Sequence, residues 1–276
     1  MLTQEINGIN IHYQLYKNGD KPILVLLHGF LSSSFSYRRL IPYLTEKYTV
    51  LSVDLPPFGK TEKSTQFTYS YTNIASIVIE LTRLLNFSKV NLVGHSMGGQ
   101  ICLYIAKQRP KLVDKIILLC SSGYLKRMSK SLIYSSYLPY FHYIVKRKLA
   151  KQGVIHNLRN VVHNHALINQ EMIEGYTEPF LDNRIFMALT RMIRHREGDL
   201  SPEDLITITN PALLIWGEKD RVVPISTGKR LHKDLPNSKF ISIENTGHLV
   251  PEERPEEVFH YINQFIEKGY ELGASE

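Results

Sequence analysis

A serine at position 96 lies in a pattern that could make it a nucleophile. Residues 94–98 read G-H-S-M-G, and they stand between a short apolar run at 90–93 and a helix-like run. A sharp turn from strand to helix keeps the middle side chain exposed, and it needs small residues two positions away on either side, as Gly94 and Gly98 are. The helix N-terminus would direct N–H groups and a positive dipole end at negative charge forming near Ser96. The same residues could also form a tight turn without a catalytic role. A nucleophilic serine therefore requires a base and an acid elsewhere in the chain.

Groups that could activate this serine occur later in the chain. A serine hydroxyl needs a base to remove its proton, and the base needs a carboxylate that orients it. One loop after a predicted strand carries Glu218 and Asp220, and a loop after the next strand carries His248. Both loops are short and leave the sheet at the edge that carries Ser96. An acid, His248 and Ser96 could therefore meet at this edge.

The elements that must position these residues alternate between strands and helices. Alternating apolar and polar residues over 4–16, with Asn7-Gly8 in the middle, predict a β-hairpin. Apolar patterning predicts strands at 23–27, 48–53, 90–93, 113–120, 212–216 and 239–243, and helices at 32–44, 72–85, 226–235 and 252–268. Repeated strand–helix units indicate an α/β fold with a mostly parallel, doubly wound sheet.

The alternation stops between residues 121 and 200, where helix-like, aromatic-rich and basic sequence replaces it. We therefore predict a core formed by residues 1–120 and 201–276, with a helical cap formed by residues 121–200. The cap would be inserted over the carboxyl ends of the strands, where open α/β sheets bind ligands.

Positive charge is concentrated in the first part of this cap. Residues 121–170 contain eight Lys or Arg and no Asp or Glu, whereas the whole chain has a net charge of +7. Tyrosines and a phenylalanine are interleaved with these charges. Such a segment could contact an anionic membrane surface, favour acyl substrates with acidic groups, or consist of ordinary amphipathic helices with solvated lysines. No recognised nucleic-acid-binding motif accompanies the charge, so we expect no nucleic-acid partner.

Composition is that of a globular protein. The chain has 276 residues, of which 43% are hydrophobic and 21% charged, which fits one α/β domain with an insertion or two small domains. The chain has no apolar run of about 18 residues, so we expect no membrane span. The N-terminal residues lack the features of a signal peptide. Cys102 and Cys120 lie in apolar runs, so we expect buried thiols and a reducing, cytoplasmic location. The oligomeric state cannot be read from the sequence.

Histidines in the cap raise the alternative of a metal site. His142, His156, His163 and His165 lie close together in the sequence, but no carboxylate or cysteine accompanies them at metal-ligand spacing. We therefore expect them to be solvated or to pack within the cap, and we predict neither a metal nor a cofactor.

Five motifs in order resemble the α/β-hydrolase fold family over almost the whole chain. They are H-G-F at 28–30, D-L-P-P-F-G at 54–59, G-H-S-M-G-G at 94–99, W-G-E-K-D-R-V-V-P at 216–224 and N-T-G-H at 245–248. One departure is Pro57, where relatives usually have glycine. The resemblance favours Asp220 over Glu218 as the acid of the triad. A serine rather than an aspartate at position 96 argues against the dehalogenase and epoxide hydrolase branches.

The resemblance also implies a role for each residue. Ser96 would attack a carbonyl carbon, His248 would take its proton and return it to the leaving group, and Asp220 would fix the imidazole tautomer. The backbone N–H groups of Phe30 and Met97 would form the oxyanion hole. His28 and His95 would be structural, each forming local hydrogen bonds.

A serine hydrolase of the esterase or lipase type is the function that this resemblance implies, with a carboxylic ester, including a lipid-like acyl ester, as its substrate. The same residues would also serve hydrolysis of a carbon–carbon bond in a diketone-like substrate, or perhydrolysis with peroxide in place of water. A ligand sensor that keeps the triad but turns over slowly is a further alternative. The fold does not decide among these.

Overall fold

The computed structural model describes residues 2–268 of the chain. Eight strands are present in this part: β1 (Leu2–Ile6), β2 (Ile9–Tyr16), β3 (Ile23–Leu27), β4 (Thr49–Val53), β5 (Val90–His95), β6 (Val113–Leu119), β7 (Ala212–Gly217) and β8 (Ser238–Ile243). They form one sheet in the order β1-β2-β4-β3-β5-β6-β7-β8. The predicted α/β fold with a mostly parallel sheet is confirmed.

Strand direction explains where the candidate residues gather. β1 pairs with β2 in antiparallel fashion, which confirms the predicted hairpin, and β2 also pairs with β4 in antiparallel fashion. All other neighbouring pairs are parallel. β3 and β7 are almost entirely apolar, and these two strands and β5 are buried along nearly all of their length, as parallel strands covered on both faces require. The loops after β3, β5, β7 and β8 therefore leave the sheet at one edge.

Twelve α-helices accompany the strands in the described residues. They are α1 (Ile41–Thr45), α2 (Tyr71–Leu84), α3 (Met97–Gln108), α4 (Lys130–Ser135), α5 (Phe141–Gln152), α6 (Val154–Val161), α7 (Gln170–Thr177), α8 (Arg184–His195), α9 (Pro202–Leu205), α10 (Ile225–Asp234), α11 (Val250–Glu253) and α12 (Pro255–Lys268). Within residues 2–268, no helix has both the length and the apolar character needed to cross a lipid bilayer.

Two predicted helices are interrupted in the structure, and both interruptions lie near a proline. Residues 32–44 form a 3-10 turn at Ser34–Tyr37 and then α1, whose second residue is Pro42. Residues 252–268 divide into the end of α11 and the whole of α12, because Arg254 adopts a non-helical backbone before Pro255. Proline lacks a backbone N–H and disfavours the α conformation of the residue before it, so each predicted single helix was wrong in its extent.

The helices from α4 to α8 all lie between β6 and β7, within residues 121–200, which we call the cap. Part of the cap has a small apolar cluster of its own, separate from the main core. This cluster contains the buried side chains of Leu158, Val162, Met172 and Leu249. Leu249 directly follows His248, so the cap packs against the loop that carries the candidate base.

Candidate active site

Ser96 occupies a strained turn between β5 and α3. Its backbone has φ 52° and ψ −118°, a conformation that L-residues rarely adopt and that is retained mostly at functional sites. The glycines on either side are required by close packing. A Cβ at Gly94 would overlap the backbone of Gly98, and a Cβ at Gly98 would overlap the carbonyl of Leu27. The predicted strand–turn–helix geometry is confirmed.

Backbone hydrogen bonds hold this turn against the neighbouring strand. The N–H of Ser96 donates to the carbonyl of Leu119 at 3.0 Å, and its own carbonyl accepts the N–H groups of Gly99 and Ser122, each at 3.0 Å. The Ser96 side chain is half-buried. Met97 begins α3, so its N–H belongs to the first helical turn, which has no intrahelical acceptor. A hydroxyl and an amide donor therefore stand side by side at this edge.

His248 and Asp220 form a direct, buried hydrogen bond. The distance between His248 Nδ1 and Asp220 Oδ2 is 2.7 Å. Asp220 Oδ1 also accepts the N–H groups of Val222 at 2.8 Å and Val223 at 2.9 Å. Burial raises the pKa of Asp220, but these hydrogen bonds and the nearby imidazole outweigh it, and the net pKa is lowered. An ionised Asp220 fixes the proton on Nδ1 and leaves Nε2 as the basic nitrogen.

The imidazole of His95 connects this pair to the serine turn. His95 Nε2 donates to the backbone carbonyl of His248 at 2.9 Å, and the centres of the two rings are 4.7 Å apart. The expected local hydrogen bond of His95 was therefore wrong, because its partner lies 153 positions later in the chain. Burial, assisted by the nearby His248, lowers the pKa of His95 to about 3, so this ring stays neutral.

In the part of the chain that the structure describes, the Ser96 hydroxyl forms no hydrogen bond with His248. The structure thus brings Asp220 and His248 into contact and holds the backbone of His248 against His95, the neighbour of Ser96. Hydrogen bonds between nucleophile and base are often long in ligand-free enzymes and shorten when substrate binds. This arrangement can supply a base and an orienting acid beside the half-buried Ser96.

Glu218, the other acid of this loop, has a different environment. Its side chain is exposed, and its backbone N–H donates to the carbonyl of Ile243 at 3.1 Å. Asp220 is buried and bonded to His248. Of these two acids, Asp220 is therefore the one in a position to orient the imidazole.

The segment after β3 lies against Ser96, where the oxyanion donors were expected. A Cβ at Gly29 would lie 3.1 Å from Ser96 Cβ, and the N–H of Phe30 follows directly. His28 fixes this turn, because its Nε2 accepts the N–H of Leu55 at 2.9 Å while its Nδ1 donates to the carbonyl of Gly29 at 2.8 Å. Burial lowers the pKa of His28, which fits a neutral structural ring. The predicted local hydrogen bond of His28 is confirmed at Nδ1, whereas Nε2 has a partner 27 positions later in the chain.

A buried thiol lies beside the His–Asp pair. Cys120 Sγ, a carboxylate oxygen of Asp220 and a ring nitrogen of His248 all lie within 4.8 Å of one another, which is close enough for metal ligands. Burial raises the pKa of the Cys120 thiol well above its ordinary value, and the nearby Asp220 adds to this effect. Only the thiolate binds metals well, so the residues present fit a packed thiol better than a metal ligand.

A second carboxylate, which no sequence motif indicated, supports the histidine loop. Glu253 accepts the N–H of Gly247 at 2.8 Å with one oxygen, and the N–H groups of His163 at 2.9 Å and Asn164 at 3.0 Å with the other. The N–H of His248 donates to the carbonyl of Val161 at 2.7 Å. These bonds join the cap to the histidine loop. Backbone partners leave no signal in a sequence, so this role of Glu253 could not be predicted.

A buried His–Asp pair on the other side of β3 was also missed. His12 Nδ1 lies 2.9 Å from Asp54 Oδ2, and Asp54 accepts the N–H groups of Ser34 at 2.7 Å and Lys60 at 2.8 Å. Asp54 thereby joins β2 to the loops after β3 and β4. Its partners suit a structural role, and the motif at 54–59 was the only signal for it.

Comparisons with known proteins agree with this architecture. A family model described as alpha/beta hydrolase fold matches residues 22–255. The "Uncharacterized hydrolase YugF" of Bacillus subtilis (strain 168) is 55% identical over 261 residues, covering 95% of this chain and 96% of the relative. The 2-hydroxy-6-oxo-6-(2'-aminophenyl)hexa-2,4-dienoic acid hydrolase of Metapseudomonas resinovorans is 24% identical, covering 95% and 90%.

A solved structure also superposes over nearly the full length. It is a membrane phospholipase A, described as a novel bacterial virulence factor, with a TM-score of 0.80 and 25% identity, covering 99% of this chain and 86% of that chain. The family model matches most of this chain, and a relative is 55% identical over 95% of it. This chain therefore belongs to the alpha/beta hydrolase family.

Proposed function

We propose that this chain is a serine hydrolase that cleaves carboxylic esters through an acyl-enzyme. The observation that carries the proposal is the 2.7 Å hydrogen bond between His248 and Asp220 at the edge where Ser96 occupies its strained turn. A buried acid bonded to Nδ1 leaves Nε2 as the base, which is what activation of a serine requires.

The proposed reaction has two halves. The Ser96 hydroxyl attacks the ester carbonyl carbon while Nε2 of His248 takes its proton, and the N–H groups of Met97 and Phe30 stabilise the resulting oxyanion. The C–O bond of the ester then breaks, and the leaving alcohol receives the proton from His248. Water attacks the acyl-enzyme with His248 again as base, which releases the carboxylate and restores Ser96.

Reaction with a fluorophosphonate probe and turnover of a p-nitrophenyl ester series of increasing chain length test this proposal. We expect the wild-type protein to be labelled and active, and Ser96→Ala to lose both properties. Ser131→Ala, which removes an exposed hydroxyl of the cap, serves as the matched control and should behave as wild type. If Ser96→Ala retained turnover, the proposed mechanism would be wrong. Labelling without turnover would favour the sensor alternative.

Hydrolysis of a carbon–carbon bond is the second candidate. It is favoured by the relative from Metapseudomonas resinovorans, whose name describes a hydrolase of a dienoic acid with hydroxy and oxo groups. The same serine, base and acid would serve both reactions. A kcat/KM for a vinylogous diketone acid that exceeds the best value in the ester series would establish the second candidate over the first.

We also propose a cytoplasmic location. Cys102 and Cys120 are free, buried thiols, which suits a reducing compartment. Fractionation of cells that express the full chain tests this location. Recovery of the protein in the extracytoplasmic or secreted fraction would contradict it.

A further inference from the structure

The cap carries a compact exposed apolar surface at residues 134–144, which we call the cap tip. Its large exposed side chains are Tyr134, Tyr137, Leu138, Tyr140, Tyr143 and Ile144, and between 60% and 73% of each is exposed. Single exposed apolar residues are ordinary, but a contiguous group of this size marks an interaction surface.

The two faces of α5 explain why this surface points outwards. Phe141, Val145 and Leu149 follow one another at intervals of four residues; Phe141 is buried, and Val145 and Leu149 pack against the main core. Tyr143 and Ile144 lie on the opposite face of the helix and are exposed. The exposure of Tyr143 and Ile144 is therefore a consequence of helix periodicity combined with an inner face that is already occupied.

The turn between α4 and α5 is fixed on α8 by Arg194. Its Nε donates to the hydroxyl of Ser136 at 2.9 Å, and its guanidinium lies 4.2 Å from the centre of the Tyr137 ring. Ser136 is buried. The cap tip is therefore an ordered part of the cap, which presents its apolar side chains from a fixed base.

Basic side chains surround the cap tip. Lys130 precedes it, and Lys146, Arg147 and Lys148 follow it on α5, all of them exposed. Among residues 2–268, no carboxylate lies within ion-pair distance of these four side chains. The whole segment 121–170 contains no Asp or Glu. The positive charge around the apolar surface is therefore not neutralised within the described chain.

We propose that the cap tip is a docking surface for an anionic lipid bilayer. Tyrosine rings and aliphatic side chains partition into the interfacial region of a membrane, where a polar tip and an apolar body are both accommodated. Lysine and arginine around them attract anionic headgroups. Each basic residue near an anionic membrane surface strengthens binding about fivefold, so the basic group adds to what the apolar tip supplies.

Charge decides between a membrane and a second copy of this chain. Two copies that met through their cap tips would bring together two segments that each carry eight basic and no acidic residues. Like charges across an interface oppose association. A bilayer with anionic lipids supplies the opposite charge together with an apolar interior, and this combination matches both features of the surface.

Co-sedimentation with vesicles tests the proposal, and it uses the full chain carrying the Ser96→Ala substitution. This inactive variant separates membrane binding from ester hydrolysis. We expect it to bind vesicles of phosphatidylcholine mixed with phosphatidylglycerol, and to bind vesicles of phosphatidylcholine alone much more weakly. Added Arg147→Gln and Lys148→Gln substitutions should weaken binding about thirtyfold. Added Tyr134→Ser, Leu138→Ser and Ile144→Ser substitutions should weaken it more than about tenfold, because they remove apolar area.

Matched controls change the same chemistry at other exposed sites. Lys229→Gln with Lys233→Gln removes two exposed charges from α10, and Ile206→Ser removes an exposed aliphatic side chain. Both should bind vesicles as the parent does, and all variants should keep the parent's melting temperature. The proposal is overturned if the parent does not bind anionic vesicles, or if the Tyr134, Leu138 and Ile144 variant binds like its control. Sedimentation of the parent as a dimer that the same substitutions dissociate would also overturn it.

Discussion

At the scale of single residues, the choice between Asp220 and Glu218 has a definite consequence. Asp220 is buried and bonded to Nδ1 of His248, whereas Glu218 is exposed. We predict that Asp220→Asn lowers kcat for p-nitrophenyl esters by about 10⁴, because the amide no longer holds the imidazole in the productive tautomer. Steady-state kinetics on the purified variant measure this loss.

Glu218→Gln is the matched control for this prediction. It removes a carboxylate two positions away in the same loop, so it should keep the wild-type kcat. Comparable losses in the two variants would show that the loop, and not a specific acid, determines activity. A large loss in Glu218→Gln alone would identify Glu218 as the acid partner of His248.

At the scale of elements, α11 contributes the carboxylate that joins the cap to the histidine loop. Glu253 binds the N–H groups of Gly247 on one side and of His163 and Asn164 on the other. In Glu253→Gln one of the two oxygens becomes an NH₂ group, which cannot accept a hydrogen bond. We predict a loss of about 1.5–3 kcal/mol in the free energy of unfolding. We also predict a ten- to hundredfold lower kcat, because His248 moves from its productive position.

Two measurements check this prediction, urea unfolding and steady-state ester hydrolysis. Glu256→Gln, which changes an exposed acid in the first turn of α12, is the control and should leave both quantities unchanged. A Glu253→Gln protein with wild-type kcat would mean that the contact with the cap does not position the histidine. Lower stability with unchanged kcat would restrict Glu253 to a structural role.

The elements that could be predicted from the sequence are those whose signals are local. The apolar run of β5, the flanking glycines and the periodicity of α3 all indicate one geometry around Ser96, and the structure has it. The helix predicted for residues 32–44 was wrong in extent because apolar spacing does not report the break near Pro42. Short elements such as α9 carry too few residues for a periodic signal.

At the scale of the whole molecule, the backbone contacts that support the site are long-range and could not be predicted. His248 and an acid of the 218–220 loop were identifiable because each follows a strand at the same sheet edge, and the family resemblance favoured Asp220 over Glu218. The bond from His95 to the carbonyl of His248 and the three amide contacts of Glu253 involve backbone groups, which every residue possesses. Residue types therefore indicated the reacting groups, whereas the groups that support them required the folded chain.

The stability of the whole molecule should depend on pH through Asp54, which joins β2 to the loops after β3 and β4. Burial raises the pKa of Asp54, but the hydrogen bond from His12, the nearby His28 and the N–H groups of Lys60 and Ser34 outweigh it and lower the pKa from 3.8 to about 2. A carboxyl with a lower pKa in the folded state stabilises that state above its unfolded pKa. This stabilisation, about 2–3 kcal/mol, is lost as the pH falls through about 2.

We therefore predict that Asp54→Asn is less stable than wild type by about 2 kcal/mol at neutral pH. The difference should shrink as the pH falls from about 4 to about 2, because the wild-type carboxyl then becomes neutral as well. Urea unfolding of both proteins across this range measures the difference directly. Asp20→Asn, at an exposed turn, should match wild type at every pH. A difference that stayed constant from neutral pH to pH 2 would mean that the ionised form of Asp54 is not what joins these segments, and that its shape alone supports the edge of the sheet.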